Sequence, residues 1–220
     1  MNDATLTQLF IGTLRPLPPE GQLTGIYKHA VTDSISVTPL GLTGDHQADK
    51  RVHGGTEKAI HHYAAENYAL LAQQYPNCSD QFIAGSLGEN FSSDGLHENN
   101  VCIGDIFQVG QAILQVSQPR SPCWKINHKF GLEQISMFIQ QQNITGWYYR
   151  VLQTGYIQAG DKLLLVERPN ADLTLAHFWN CVLEHRPAIA IIESISLAIG
   201  LAPQWQQRLK DRAVWLGQHH

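Results

Sequence analysis

The sequence lacks several features that would mark whole classes of protein. It contains no run of about 18 consecutive apolar residues, so no membrane-spanning helix is expected. The first ten residues lack the basic segment and apolar core of a secretory signal. Lys and Arg together number 15 against 19 Asp and Glu, which gives a net charge of −4. Because tracking a phosphate backbone needs a basic surface, stable nucleic-acid binding is not expected.

Cysteine is also scarce. The four cysteines, Cys78, Cys102, Cys123 and Cys181, are irregularly spaced and form no CxxC pair. A cysteine-built zinc site, a redox dithiol and a disulfide framework are therefore not expected. A reducing cytoplasm is the simplest location for such a chain, and most of these cysteines are expected to be small buried side chains.

What is present predicts a folded globule with one sizeable core, since 43% of the 220 residues are hydrophobic and 15% are charged. The sequence changes character after Pro169, and we predict a mainly β domain over residues 1–168 followed by a three-helix all-α domain over residues 169–220. Strands are predicted at residues 24–31, 34–39, 101–109, 112–117, 147–152 and 162–166. Helices are predicted at residues 65–75, 132–142, 188–199 and 204–215, and a further helix runs from Asp172 or Thr174 to Arg186. Residues 40–56 are expected to form a long ordered loop, while 58–63 is consistent with either a strand or a helix start.

The segment SQPRSPCWK, residues 117–125, is the most informative one for chemistry. Two prolines end the preceding strand and stiffen the backbone just before Cys123. Arg120 and Lys125 flank this cysteine, and nearby cations favour the thiolate, which binds soft metals and attacks electrophiles. The residues by themselves leave open whether Cys123 is reactive or only a small buried side chain.

The loop GLTGDHQADKRVHGGTEKA is the second candidate segment. Paired glycines, Gly54 and Gly55, let backbone N–H groups approach a ligand closely. Asp45, His53 and Lys58 add an acceptor, a switchable donor and a cation, which suits a ligand with a phosphate or a polar ring. The alternative is a glycine-rich turn with solvated side chains.

Two weaker signals complete the set. Glu89 and Asn90 lie between glycine turns and Phe91, where they either hold a ligand or cap turns. His61 and His62 are adjacent, and neighbours on a strand point to opposite faces, so they are not expected to share one metal ion.

Taken in order, GLTGDHQADKRVHGGTEKAI, GEN, GD and SQPRSPCWK resemble the motifs of the MOSC family, the sulfurase C-terminal domains that handle the molybdenum cofactor. The resemblance covers residues 9–167, shows no departure at the motif positions, and is strongest to the bacterial YiiM group. The helical tail resembles the three-helix domain that follows MOSC in that group.

The resemblance implies a β-barrel-like fold with a few helices. It implies molybdopterin, and not pyridoxal phosphate, as the cofactor, with Cys123 as the residue that ligates molybdenum or receives sulfur. The implied activity is reduction of N-hydroxylated bases such as 6-hydroxylaminopurine, with electrons from a flavin reductase partner. Three roles stay open for the helical tail: formation of a homodimer, docking on its own barrel, or binding of the reductase.

The roles of the other candidates follow from residue type. Cofactor-binding residues are predicted among Arg120, Lys58, Lys125, Gly54, Gly55, Glu89 and Asn90. Asp45 is expected to contact the pterin or orient a neighbour, and His53 to donate a proton to the leaving oxygen. Two alternatives stay open: a carrier of cofactor or sulfur that uses a Cys123 persulfide, and a cysteine hydrolase or transferase with His53 or His128 as base.

Overall fold

A computed structural model describes residues 4–49 and 53–219. Its strands are β1 (Ala4–Ile11), β2 (Arg15–Leu17), β3 (Gln22–Thr24), β4 (His29–Ala30), β5 (Ile35–Thr38), β6 (Gly41–Leu42), β7 (Ile60–Ala64), β8 (Phe91–Asp94), β9 (Ile106–Val109), β10 (Ala112–Pro119), β11 (Trp147–Gln153), β12 (Gly155–Ile157) and β13 (Lys162–Glu167).

Seven of these strands close into a barrel. The order is β1-β8-β7-β11-β10-β9-β13, and β13 pairs back onto β1. Strands β7 and β8 are parallel, whereas the other neighbours in the ring are antiparallel. Closure pairs both edges of the sheet, so no strand edge in this ring is left open to solvent. The predicted β-barrel-like class is confirmed.

Smaller sheets lie against the barrel. Strand β4 pairs with β1, strands β12, β5 and β6 form a three-stranded sheet, and β2 and β3 form a separate hairpin. The predicted strand at 24–31 is wrong in its centre, because only Thr24 and His29–Ala30 have strand pairing. A Cβ at Gly25 would lie 2.0 Å from the His46 carbonyl oxygen, so glycine permits a loop crossing here in place of a sheet neighbour.

The described α-helices lie outside the barrel ring. Helix α1 follows β7, helices α2 and α3 connect β10 to β11, and the other three form the C-terminal tail. Their bounds are α1 (Asn67–Gln74), α2 (Trp124–Phe130), α3 (Ile135–Gln141), α4 (Leu175–Leu183), α5 (Ile189–Ser196) and α6 (Pro203–Gln218), and 3₁₀ turns occupy Thr56–Lys58 and Pro76–Gln81. None of the described helices combines the length and apolarity needed to cross a membrane.

The helical tail docks on the chain's own barrel. Thr174 caps α4 by accepting from the His177 N–H at 3.1 Å. Trp179 is buried in the core shared with the barrel and donates from Nε1 to Thr145 Oγ1 at 3.0 Å. Helix α5 ends at Ser196, before the predicted residue 199. The chain then turns through Gly200, whose carbonyl accepts from Arg150 Nη1 of β11 at 2.7 Å. The division into domains at residue 168 stays a prediction, as one core spans both parts.

Candidate active site

A pocket lies on the outer face of the barrel wall, and the alternation of β11 and β7 places it there. Trp147, Tyr149 and His62 point into the barrel, where the His62 ring lies 4.3 Å from the Trp147 ring. The residues between them point outward. Tyr148 and His61 are paired across the two strands, their rings lie 5.2 Å apart, and both line the pocket.

Most of the predicted site residues meet in this pocket although they are far apart in sequence. They come from the loop after β6, the 3₁₀ turn, the residue before β8, the segment after β10 and the first turn of α2. The predicted residues in the lining are Asp45, His53, Lys58, Asn90, Arg120, Cys123 and Lys125.

Cys123 is half-buried at the junction between the proline segment and α2. Its backbone is extended, with φ −121° and ψ 162°, and helix α2 starts at the next residue. This helix is not among those predicted from the sequence. The cysteine is therefore held between two ordered segments, with its side chain at the pocket wall.

Arg120 is the charged group of the pocket with the most unusual environment. The residue is 6% exposed, and its Nη2 donates to the Leu87 carbonyl at 3.3 Å. Its Nη1 is buried and has no hydrogen-bond partner among the residues that the structure describes. Since a buried unpaired cationic donor is costly, this nitrogen marks a place where an anionic ligand would restore the missing interaction.

Asp45 differs from Arg120 in having every oxygen occupied. Its carboxylate is 1% exposed and pairs with the Lys28 ammonium. It also accepts from Gly12 N at 2.8 Å, Gln47 Nε2 at 3.1 Å and Asn90 Nδ2 at 2.9 Å. This arrangement favours the second of its two predicted roles, the orientation of neighbouring side chains.

The electrostatics of the pocket are cationic around His53. Burial, followed by the charges of Arg120, Lys125 and Lys58, lowers the pKa of His53 to about 4. His53 is consequently a neutral imidazole at pH 7. Burial also lowers the pKa of Lys58 from its usual value.

Three of the predicted cofactor-binding residues lie outside this pocket. Gly54 and Gly55 line a neighbouring depression that shares Lys58 with it. Glu89 is fully buried and faces away, accepting from the Gly85 N–H at 2.5 Å, the Leu87 N–H at 3.1 Å and the Tyr68 hydroxyl. Residues 50–52 of the glycine-rich motif lie outside the described residues.

Sequence reasoning missed several lining residues. Lys28 and Tyr148 belong to none of the motifs named above, and His61 was considered only as a metal ligand. The pairing of His61 with Tyr148 depends on the register of β7 and β11, which the sequence does not specify. Burial raises the pKa of Tyr148, and burial lowers the pKa of His61 well below its usual value.

The predicted Cys–His pair is not joined by a hydrogen bond. Among the described residues, Cys123 contacts neither His53 nor His128 in this way. His128 Nδ1 instead lies 3.0 Å from a carboxylate oxygen of Glu20. The described residues also contain no cluster of three or more His, Cys, Asp or Glu side chains arranged to hold a metal.

Comparison with known proteins gives the class of this fold and site. The MOSC domain family model matches residues 49–164, which is more than half of the chain. The chain belongs to the MOSC domain family, as the sequence motifs predicted.

Individual relatives give a more specific likeness within this family. The chain is 39% identical to the protein YiiM of Escherichia coli (strain K12) over 200 residues, which cover 89% of this chain and 87% of that protein. The crystal structure of YiiM from Geobacillus stearothermophilus gives a TM-score of 0.81 at 30% identity, covering 96% and 99% of the two chains. A protein of Gibberella moniliformis (strain M3125 / FGSC 7600) named "Reductase" is 36% identical over 166 residues, 74% of this chain and 29% of that protein. The predicted likeness to the YiiM group is confirmed.

Proposed function

We propose that this protein is a molybdenum-cofactor-dependent reductase of N-hydroxylated bases and analogues, such as 6-hydroxylaminopurine. In this proposal Cys123 is the thiolate ligand of molybdenum, and a flavin reductase partner supplies electrons. The observation that carries the proposal is the meeting of Cys123 with Arg120, whose Nη1 has no partner among the described residues, in one pocket of a MOSC domain.

The residues of the pocket fit such a cofactor. Molybdenum held by a pterin dithiolene needs a soft protein ligand, which the half-buried Cys123 thiol provides. The pterin ends in a phosphate, for which Arg120 Nη1 is an unused donor, with Lys58 and Lys125 beside it. The cavity has a volume of about 80 Å³ and is partly open to solvent.

The bound cofactor would supply the redox chemistry that no side chain here can supply. Reduction of an N–OH group to N–H takes two electrons and two protons and releases water. The chain's own contribution is to bind, orient and donate hydrogen bonds. His53, neutral at pH 7, donates an N–H hydrogen bond toward the leaving oxygen in this proposal, and Asp45 fixes Lys28 and Asn90 around the ligand.

The relatives support the direction of this assignment. The fungal protein bears the name "Reductase" and is longer than this chain, and the MOSC domain model matches this chain over residues 49–164. We propose that the electron donor is a separate flavin reductase. Pairing of two copies through the helical tail and binding of that partner by the tail both stay proposals.

Metal analysis of wild type and Cys123→Ser, purified in parallel from a host that makes the cofactor, tests the proposal. Wild type is expected to hold about one molybdenum per chain and to reduce 6-hydroxylaminopurine, whereas the variant loses both. Cys102→Ser is the matched control, since burial raises the pKa of that thiol to about 11 and it lies outside the pocket. Full molybdenum and activity in Cys123→Ser would rule the proposal out.

Mass spectrometry of the intact protein separates the carrier function from the reductase. A carrier is expected to show a persulfide on Cys123 and no turnover of N-hydroxylated bases. The absence of a hydrogen bond from Cys123 to His53 or His128 in the described structure gives the hydrolase alternative no comparable support.

A further inference from the structure

A four-residue turn, Gly85–Gly88, forms the support on which Arg120 rests. The turn carries Leu87, whose carbonyl accepts from Arg120 Nη2 at 3.3 Å. Gly88 adopts φ +82°, where an added Cβ would lie 2.9 Å from the Ile26 side chain. Leu87 and Gly88 both line the pocket, so the position of this turn fixes one wall of the candidate site and the pose of its guanidinium.

Glu89 holds this turn from its amide side. Its carboxylate is fully buried and accepts from the Gly85 and Leu87 N–H groups, at 2.5 and 3.1 Å. The Tyr68 hydroxyl also donates to it. A buried carboxylate is stabilised only by such donors, so the turn and the carboxylate fix each other's position.

Lys129 holds the same turn from its carbonyl side. Its ammonium donates to the Ser86 carbonyl and, at 3.4 Å, to the carbonyl of Ile26, which lies in another lining segment. The ammonium also lies 5.2 Å from the centre of the Tyr27 ring. Burial lowers the pKa of Lys129 to about 8, so it carries its charge at pH 7.

The position of Lys129 in the chain gives these contacts a functional meaning. Lys129 belongs to α2, the short helix that starts directly after Cys123. One side chain therefore joins the helix behind the cysteine to the turn behind Arg120 and to the segment of Ile26. Arg120 and Cys123 lie three residues apart in one segment, but the guanidinium at the end of the Arg120 side chain rests on the separate Gly85–Gly88 turn. Lys129 ties that turn to the helix that follows Cys123.

We propose that Lys129 and Glu89 are positioning residues that clamp the Gly85–Gly88 turn and so set Arg120 relative to Cys123 for binding of an anionic ligand. This inference rests on the proposed function for the identity of the ligand. Neither residue touches the ligand, because neither lines the pocket. Their effect is expected on the affinity for phosphate, the anionic group that Arg120 would meet.

The test measures binding of inorganic phosphate to the full chain by calorimetry, using protein from a host that makes no molybdenum cofactor. Lys129→Met is expected to weaken phosphate binding about five- to twentyfold, as expected when a charge-assisted contact is misplaced. Lys129→Arg keeps the charge and the donors, and its affinity stays within about threefold of wild type. Lys162→Met is the control, since that lysine bonds to the Thr5 hydroxyl at the surface and does not line the pocket.

A second measurement reports on the cysteine. Phosphate is expected to protect Cys123 from iodoacetamide in wild type and to protect it less in Lys129→Met. If Lys129 had only a structural role, Lys129→Met would lower the melting temperature. Phosphate affinity and protection of Cys123 would then stay unchanged well below that temperature. Wild-type phosphate affinity in a folded Lys129→Met protein would overturn the proposal, as would failure of wild type to bind phosphate.

Glu89→Gln serves if Lys129→Met does not fold. It is expected to weaken phosphate binding in the same way, because the amide replaces one acceptor with a donor that faces a backbone N–H. Unchanged affinity in that variant would be equally decisive against the clamp. Molybdenum retention through Cys123 is measured separately, so failure of the clamp and failure of the proposed function give different results.

Discussion

Two adjacent histidines on β7 show how the two faces of one barrel wall differ. His62 points inward, and both its ring nitrogens are paired, with the Tyr149 hydroxyl at 3.0 Å and the Ser93 hydroxyl at 2.8 Å. His61 points outward to the pocket, and its Nε2 has no partner within the described part of the chain. The ring of the inner histidine is fully hydrogen-bonded within the core, whereas the ring of the outer one is incompletely hydrogen-bonded beside a cavity.

The same contrast holds for the charges. Asp45 is saturated by its donors, whereas Arg120 keeps an unpaired buried nitrogen. Folding alone would favour pairing every such group, since an unpaired buried donor costs about 1–3 kcal/mol. The unpaired groups of the pocket therefore indicate where a ligand completes the structure, and the following predictions test whether the two faces differ in this way.

The largest expected effect is the response of the inner face to acid. Burial lowers the pKa of His62 to about 3, against about 6.5 in the unfolded chain. Below pH 6.5 the unfolded chain takes up a proton that folded His62 does not. The contribution of neutral His62 to the free energy of unfolding is therefore fully present above pH 6.5. It is lost as the pH drops toward 3, and the loss reaches up to about 4 kcal/mol. Urea unfolding of wild type and of His62→Gln, which lacks the titrating group, measures this loss across the pH range. Equal pH slopes in the two proteins would contradict the lowered pKa of His62.

Substitution of the two histidines by leucine compares the faces directly. His62→Leu leaves two buried hydroxyls without a partner and is expected to lower the free energy of unfolding by about 2–4 kcal/mol. His61→Leu removes at most one ring hydrogen bond, to the Gly88 backbone, because Nε2 has no partner among the described residues, and a change of less than about 1 kcal/mol is expected. Denaturant unfolding of both variants at pH 7 provides the measurement. Equal losses would show that the contrast between the faces is not energetic.

Arg120→Met separates stability from binding. The variant removes a buried, incompletely paired cation, so the free energy of unfolding of the ligand-free chain is expected to stay within about 1 kcal/mol of wild type or to rise. Phosphate affinity, in contrast, is expected to fall at least about tenfold. Calorimetry and thermal unfolding measure the two effects on the same samples. A large loss of stability with unchanged phosphate binding would assign Arg120 to the core.

The smallest effect is expected at Lys125. Its ammonium donates to the Leu23 carbonyl at 3.0 Å near the surface, where solvent screens its charge. Lys125→Met is expected to weaken phosphate binding by about two- to fivefold, and less at high salt. A titration at two salt concentrations checks this. An effect as large as that of Arg120→Met would place the anion nearer the pocket mouth.

Much of this protein follows from its sequence. The helical tail, the β9–β10 hairpin across Gly110-Gln111 and the β11 and β13 strands were predicted from local patterns, because turn chemistry and apolar period act over a few residues. The motif around Cys123 likewise singled out the cysteine at the pocket wall, and the ordered motifs indicated the family.

Only the tertiary structure decided which groups share the pocket. Strand register brought His61 beside Tyr148, and loop packing paired Lys28 with Asp45. The local sequence does not determine the direction of a side chain on a turn. The Glu89 carboxylate therefore accepts from the N–H groups of its own turn and points away from the pocket. Residue type defines which chemistry each group can perform, while long-range packing defines which groups are satisfied by the protein and which are left for a ligand.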